Sequence, residues 1–156
     1  MIERIVEQID RNGEVLRTFW CCRYAGGELP SLPWADAVFD CIVIAGEEAS
    51  AQHHGAPFAD VIVRRRVDYV QTTGPRAEWL HDLIDEASVR NGRQDAVGDG
   101  SPMTTWHDDA LSFPQICEVA ECCFGSADDV LCVVLGSEED RRCFTDLLRE
   151  RLSERS

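Results

Sequence analysis

Apolar residues recur along this chain in two alternating rhythms. Short, nearly unbroken apolar or β-favouring runs at 39–45, 67–73, 103–106 and 130–135 are each followed by a segment whose apolar residues return every three or four positions. The runs have the length and composition of strands, and the scarcity of polar alternation in 39–45 marks a strand covered on both faces. The intervening segments read as amphipathic helices. Their buried faces are Phe58, Val61 and Ile62 in the first, then Trp79, Leu80, Leu83, Ile84 and Ala87 within 75–90. Ile116, Val119, Ala120 and Cys123 follow in the third, and Phe144, Leu147, Leu148 and Leu152 in the last. Ser137, three residues ahead of Asp140, supplies a capping arrangement for that final helix.

Strand and helix in succession specify right-handed βαβ units. The expected fold is a single α/β domain over residues 1–156, with a mainly parallel sheet of about four to five strands and helices on both faces, a three-layer Rossmann-like or flavodoxin-like arrangement. The alternating core occupies 39–152. Residues 1–36 are open to two readings. Ile2, Ile5, Val6 and Ile9 have the spacing of one helical face, yet Asn12-Gly13 between β-favouring stretches also fits a hairpin from Ile2 to Tyr24. Gly26-Gly27 with Pro30 and Pro33 predicts a loop, as does the Gly- and Asp-rich stretch 94–100.

Composition fits an ordinary globular domain, with 44% hydrophobic and 28% charged residues. Charge changes the picture. Fifteen arginines, no lysine and 29 acids give a net charge of −14. Such a field repels nucleic acid and anionic membrane and speeds association with a basic partner; it also favours solubility by itself. Its distribution is uneven: from Glu78 to Asp129 twelve acids face two arginines, so that one third of the chain carries −10 of the −14. The sole basic run, Arg64-Arg65-Arg66, closes a helix, where cations complement the dipole and are more readily solvated or paired than used for anion capture.

Eight cysteines include no Cys-x-x-Cys and sit in apolar runs or helix-like segments, which predicts free thiols and a reducing compartment. A zinc site built from Cys117, Cys122 and His107 lacks the usual ligand spacing. Neither a metal nor a cofactor is expected. Met1-Ile2-Glu3-Arg4 does not open a signal peptide and no apolar run approaches a membrane span, so the expectation is a cytoplasmic protein.

The stretch from Ser101 to Asp109 joins a strand to an imidazole and two carboxylates. In parallel sheets ligands gather beyond the carboxyl ends of the strands. Those ends offer Gly46, Glu47 and Glu48; Thr72, Thr73 and Gly74; Trp106, His107, Asp108 and Asp109; and Gly136, Ser137 and Glu138. His107, Asp108, Asp109 and Glu47 are the candidate groups for acid–base work or a divalent ion. The same residues are also ordinary helix caps and strand-end polar groups. No nucleophile elbow, Walker loop, Gly-x-Gly-x-x-Gly or His-Glu-x-x-His is present. His53-His54 and His81-Asp82 are weaker signals, His81 being expected to face solvent.

The segment Thr104-Thr105-Trp106-His107-Asp108-Asp109, with the apolar strand 41–45, the Thr73-Gly74-Pro75 turn and the Trp79…His81-Asp82 helix, resembles a group of small uncharacterised bacterial α/β proteins carrying a Thr-Trp-His-acid-acid segment after a strand. The resemblance covers 39–135 and implies the fold, with no transferable activity. Two functions fit the residues. One is an inhibitor of the immunity type, an acidic domain covering the basic active site of a nuclease toxin, with Trp79, Asp82, Asp85, Asp95, Asp99, Trp106, Asp108 and Asp109 as the partner-binding set. The other is a small enzyme or ligand- or metal-binding domain using His107, Asp108, Asp109 and Glu47.

Overall fold

The computed structural model describes residues 1–34, 37–45, 48–92, 102–110, 112–121 and 125–154. Over these residues it is one α/β domain with a six-stranded, mostly parallel sheet and four helices. In chain order the elements are β1 (Glu3–Ile9), β2 (Val15–Arg23), β3 (Phe39–Ile44), α1 (Glu48–Val63), β4 (Val67–Thr73), α2 (Ala77–Arg90), β5 (Met103–His107), α3 (Phe113–Glu121), β6 (Asp129–Val134) and α4 (Glu138–Glu154). The spatial order is β1-β2-β6-β3-β4-β5, antiparallel only between β1 and β2.

The count is six strands, not four to five, and the amino-terminal segment is a hairpin. Helical spacing misled for a local reason: the register of β1 on β2 shifts between Arg4 and Val6 and again between Gln8 and Ile9. The first leaves Ile5 unpaired in β1, so that Ile5 and Val6 both pack toward the same core and the period of two is broken; the second leaves Leu16 unpaired in β2. The turn is closed by the Asp10 carboxylate, which accepts the N–H groups of Asn12 at 2.8 Å and Glu14 at 2.9 Å, while Gly13 takes φ +82°.

All six residues of β3 are buried, and they alternate between two cores. Cys41 and Val43, with Val70, Leu131 and Val133, pack beneath Phe58 and Ile62 of α1 and Leu80 and Ile84 of α2. Ile42 and Ile44, with Phe19, Cys132 and Val134, pack against Ile116 and Ala120 of α3 and Phe144 and Leu148 of α4. The division follows from the path. From β3 through β4 to β5 the chain steps outward one strand at a time, placing α1 and α2 on one face; from β5 it returns past β4 and β3 to β6. A crossover of constant hand that reverses direction must carry its helix over the other face. The three layers are as expected, but the strand order is neither of the two common doubly wound ones.

Arginines tie the carboxyl-terminal helix to the rest. Arg141 bonds Glu3 of β1 and Glu138 of its own helix, each at 2.6 Å, and its guanidinium holds the Glu3 carboxyl below the ordinary range. Arg149 reaches the same Glu3 at 3.2 Å, and Arg151 pairs with Glu121 of α3. The Ser137–Asp140 box forms as read: Ser137 Oγ accepts the Asp140 N–H at 3.0 Å and Asp140 Oδ2 accepts that of Ser137 at 2.9 Å. The six described cysteines are free, five of them buried. Burial pushes the thiols of Cys21 and Cys117 up to about 12 and that of Cys22 to about 11, so they serve as small apolar side chains.

Asp40 is the one acid wholly inside the sheet. It is 0% exposed, its Oδ2 accepts the N–H of Ala127 at 3.0 Å, and its Oδ1 has no partner. Gly125 leaves the room it occupies, since a Cβ there would overlap the carboxylate. Burial pushes this carboxyl above the ordinary range, only partly offset by the Ala127 N–H and the Arg17 charge. The charged form is therefore penalised on folding. The penalty is absent below the unfolded pKa of about 3.9, grows as pH rises through the raised folded value, and is complete above it. Asp40→Asn is expected to be more stable than the parent at pH 7 by on the order of 1 kcal/mol, the gap closing toward pH ~4. Urea denaturation at stepped pH measures this; a variant no more stable at pH 7 would contradict it.

Candidate recognition surface at the open edge of the sheet

Among the described residues, strand β5 is bonded on one side only, to β4, with Tyr69 opposite Met103 and Thr73 opposite His107. Its side chains alternate. Thr104 and Trp106 turn toward α2, whereas Thr105 faces the other layer and contacts the Tyr69 hydroxyl at 2.6 Å. Met103, Thr105 and His107 share that second face by the same alternation.

Beneath α2 a polar chain forms. The Thr104 hydroxyl donates to Asp85 Oδ1 at 2.8 Å and lies 2.9 Å from His81 Nε2. With its single hydrogen given to the carboxylate, the hydroxyl accepts from His81, so the imidazole carries a proton on Nε2. Nδ1 of the same ring lies 3.3 Å from Asp82 Oδ1, and the ring packs on Trp106 with centroids 4.5 Å apart. His81 is thus buried, 9% exposed, where solvent exposure was expected. An i,i+4 pairing of His81 with Asp85 is visible in the sequence. Their shared partner Thr104 is not, because it depends on which strand lies beside α2.

The polarity of this chain decides its chemistry. A nucleophilic hydroxyl must give its proton to an imidazole nitrogen that accepts it. Here the imidazole donates and the carboxylate accepts, so the arrangement fastens α2 to the edge strand and orients Trp106. Trp106 remains 45% exposed and Met103 67%. The side chains of Asp82 and Asp85 are 67% and 46% exposed, and Asp108 and Asp109 stand exposed just past the strand. Two of the proposed acids therefore contact the histidine that packs on Trp106, and two more stand exposed within three residues of it in the chain.

The other candidates fall elsewhere. Trp79 is part-buried and covers Gly55 of α1, where a Cβ would stand 2.8 Å from its ring, so it belongs to the α1–α2 contact. Glu47, Asp95 and Asp99 lie outside the described residues, as does Cys122. His107 and Ser137 line the same carboxyl edge without converging: β5 is three strands from β6, about 14 Å at the usual strand spacing. Among the described residues no group of three or more His, Cys, Asp or Glu is placed to hold a metal ion. Arg64 is paired with Glu28 at 3.0 Å and Arg65 with the Leu29 carbonyl at 2.9 Å, in line with a basic run that is paired. His53 and His54 stack edge to face beside Tyr24, and burial holds His54 below its ordinary value.

Because the Thr104 hydroxyl serves two partners, Thr104→Val is expected to destabilise the fold by about 1 kcal/mol, leaving His81 and Asp85 only their direct 3.6 Å contact. Thr104→Ser restores the hydroxyl and should recover most of that loss. Urea midpoints of the two variants test this, and equal midpoints would count against the polar chain.

Among the described residues no helix is long and apolar enough to cross a membrane. No curated protein and no solved structure matches the chain. A family model does match residues 19–151, that of the domain of unknown function DUF7684, and the protein belongs to this family.

Proposed function

We propose that the protein is a cytoplasmic acidic binding protein of the immunity type, which covers a basic surface on a partner such as a nuclease-type toxin. The observation that carries the reading is the cluster on the α2–β5 edge: the exposed carboxylates of Asp82, Asp85, Asp108 and Asp109 around the half-exposed Trp106 ring. An aromatic anchor held from behind by a buried histidine, within a charged rim, is the layout of an interface hot spot. On a toxin that binds nucleic acid, such carboxylates meet the basic side chains that otherwise hold phosphates. The overall charge of −14 adds long-range steering toward such a partner.

The same geometry ranks the contributions. Trp106 supplies contact area, whereas Asp82, Asp108 and Asp109, being exposed, act mainly on the association rate. Asp85 does both, since one of its oxygens is already engaged with Thr104.

Affinity capture from the source organism, run side by side with the parent and with Asp82→Lys combined with Asp108→Lys and Asp109→Lys, is the direct test. The parent is expected to retain a basic protein whose nuclease activity falls on addition of the purified chain. The charge-reversed variant should lose that protein, and the parent's association rate should drop steeply with salt. Identical captures by the two proteins would sink the proposal.

A further inference from the structure

The acidic face borders an edge strand that is left ready to pair. In β5 the carbonyl of His107 accepts the Gly74 N–H at 3.1 Å, and that of Thr105 accepts the Thr72 hydroxyl at 3.4 Å. Both residues therefore turn their backbone toward β4. Alternation turns the N–H and C=O groups of Thr104 and Trp106 the other way, to the outside of the sheet, where no described residue bonds them.

The two edges of the sheet are unlike. β1, at the far side, meets β2 across two register irregularities, one of them a bulge in β1 itself at Ile5, and carries Glu3, Arg4 and Glu7, with Arg4 paired to Glu7. Bulges and charges of this kind are how sheets discourage further pairing. β5 has neither. It is regular against β4 throughout, reads Met-Thr-Thr-Trp-His, and flanks its open side with the exposed side chains of Met103 on one face and Trp106 on the other.

We infer that β5 is a docking strand, to which a basic partner adds an extended segment as a seventh strand. Main-chain pairing with Thr104 and Trp106 supplies the register. Basic side chains on the α2 side of the added strand meet Asp82 and Asp85, and apolar ones on the other side cover Met103. Charge selects this occupant over a second copy of the chain. Antiparallel pairing of two β5 strands would bring Asp82, Asp85, Asp108 and Asp109 of both copies together, like charge against like. The inference rests on the acidic-surface reading above and adds to it a backbone requirement that charge alone does not impose.

The probe is a labelled, end-blocked peptide of about eight residues alternating lysine and valine, long enough to span a strand of ordinary length. It is compared with two versions carrying the same charge, one N-methylated at the lysines and the other at the valines. Fluorescence anisotropy at low ionic strength gives the affinities, and hydrogen exchange follows the amides of β5. Saturable binding of the parent peptide is expected. One N-methylated version should lose roughly tenfold or more and the other little, since only one set of N–H groups faces β5. The Thr104 and Trp106 amides should exchange more slowly on binding, while those of Thr105 and His107 change little. If all three peptides bind equally and weaken together with Asp82→Asn, Asp108→Asn and Asp109→Asn, strand addition is overturned and the acidic-surface reading survives. Absence of saturable binding by all three overturns both. A protein that is dimeric alone, with the Thr104 and Trp106 amides already protected, assigns the edge to a second copy and overturns the proposal.

Discussion

Two neighbouring strands that are withdrawn from water on both faces impose the rest of this architecture. In β3 and β6 nearly every side chain is buried, so each face of their shared sheet needs its own covering layer. Four helices must then divide two and two, and a chain making crossovers of one hand achieves that only by reversing its direction across the sheet. The reversal happens after β5. Among the described residues the strand at which the chain turns back has a neighbour on one side alone, and so the buried centre of the sheet is the reason that β5 is an edge.

The charges are arranged around this centre with little intrusion. Asp40 alone is wholly buried within the sheet, beside a glycine that makes room for it. On the α3–α4 layer the acids are answered by arginine: Glu3 by Arg141 and Arg149, Glu121 by Arg151. On the α2 layer, Asp82 and Asp85 meet an imidazole and a hydroxyl in place of a guanidinium. The imbalance counted along the chain between Glu78 and Asp129 thus becomes, at the α2–β5 edge, a local excess of carboxylate around an aromatic ring.

Much of this was legible in the residues. The unbroken apolar run of β3, the 3.6 periodicity of α2 and the Ser137–Asp140 box are local signals, and local signals survive without knowledge of the fold. β1 was ambiguous because the bulge at Ile5 turns the adjacent Ile5 and Val6 toward the same core, which breaks the period of two. The site was legible only in part. Asp82, Trp106, Asp108 and Asp109 were named from composition and order. The burial of His81 carries no local signal, since it depends on Thr104 arriving beside α2 from twenty-three residues away, a matter of strand order. Likewise His107 and Ser137 share an edge in any parallel sheet, but how many strands separate them cannot be read from spacing in the chain.

The amino-terminal hairpin carries one more consequence. The family match begins at residue 19, within β2, so β1 lies outside the matched region and stands as an addition to one side of it. By taking the place beside β2 and presenting a charged, irregular margin, it gives the sheet a polarity of growth. Edge-to-edge assembly propagates only through units that are open at both ends, as a polymer lengthens only through bifunctional monomers. A sheet guarded on one margin offers a single open edge, so whatever strand pairs with it ends the growth there.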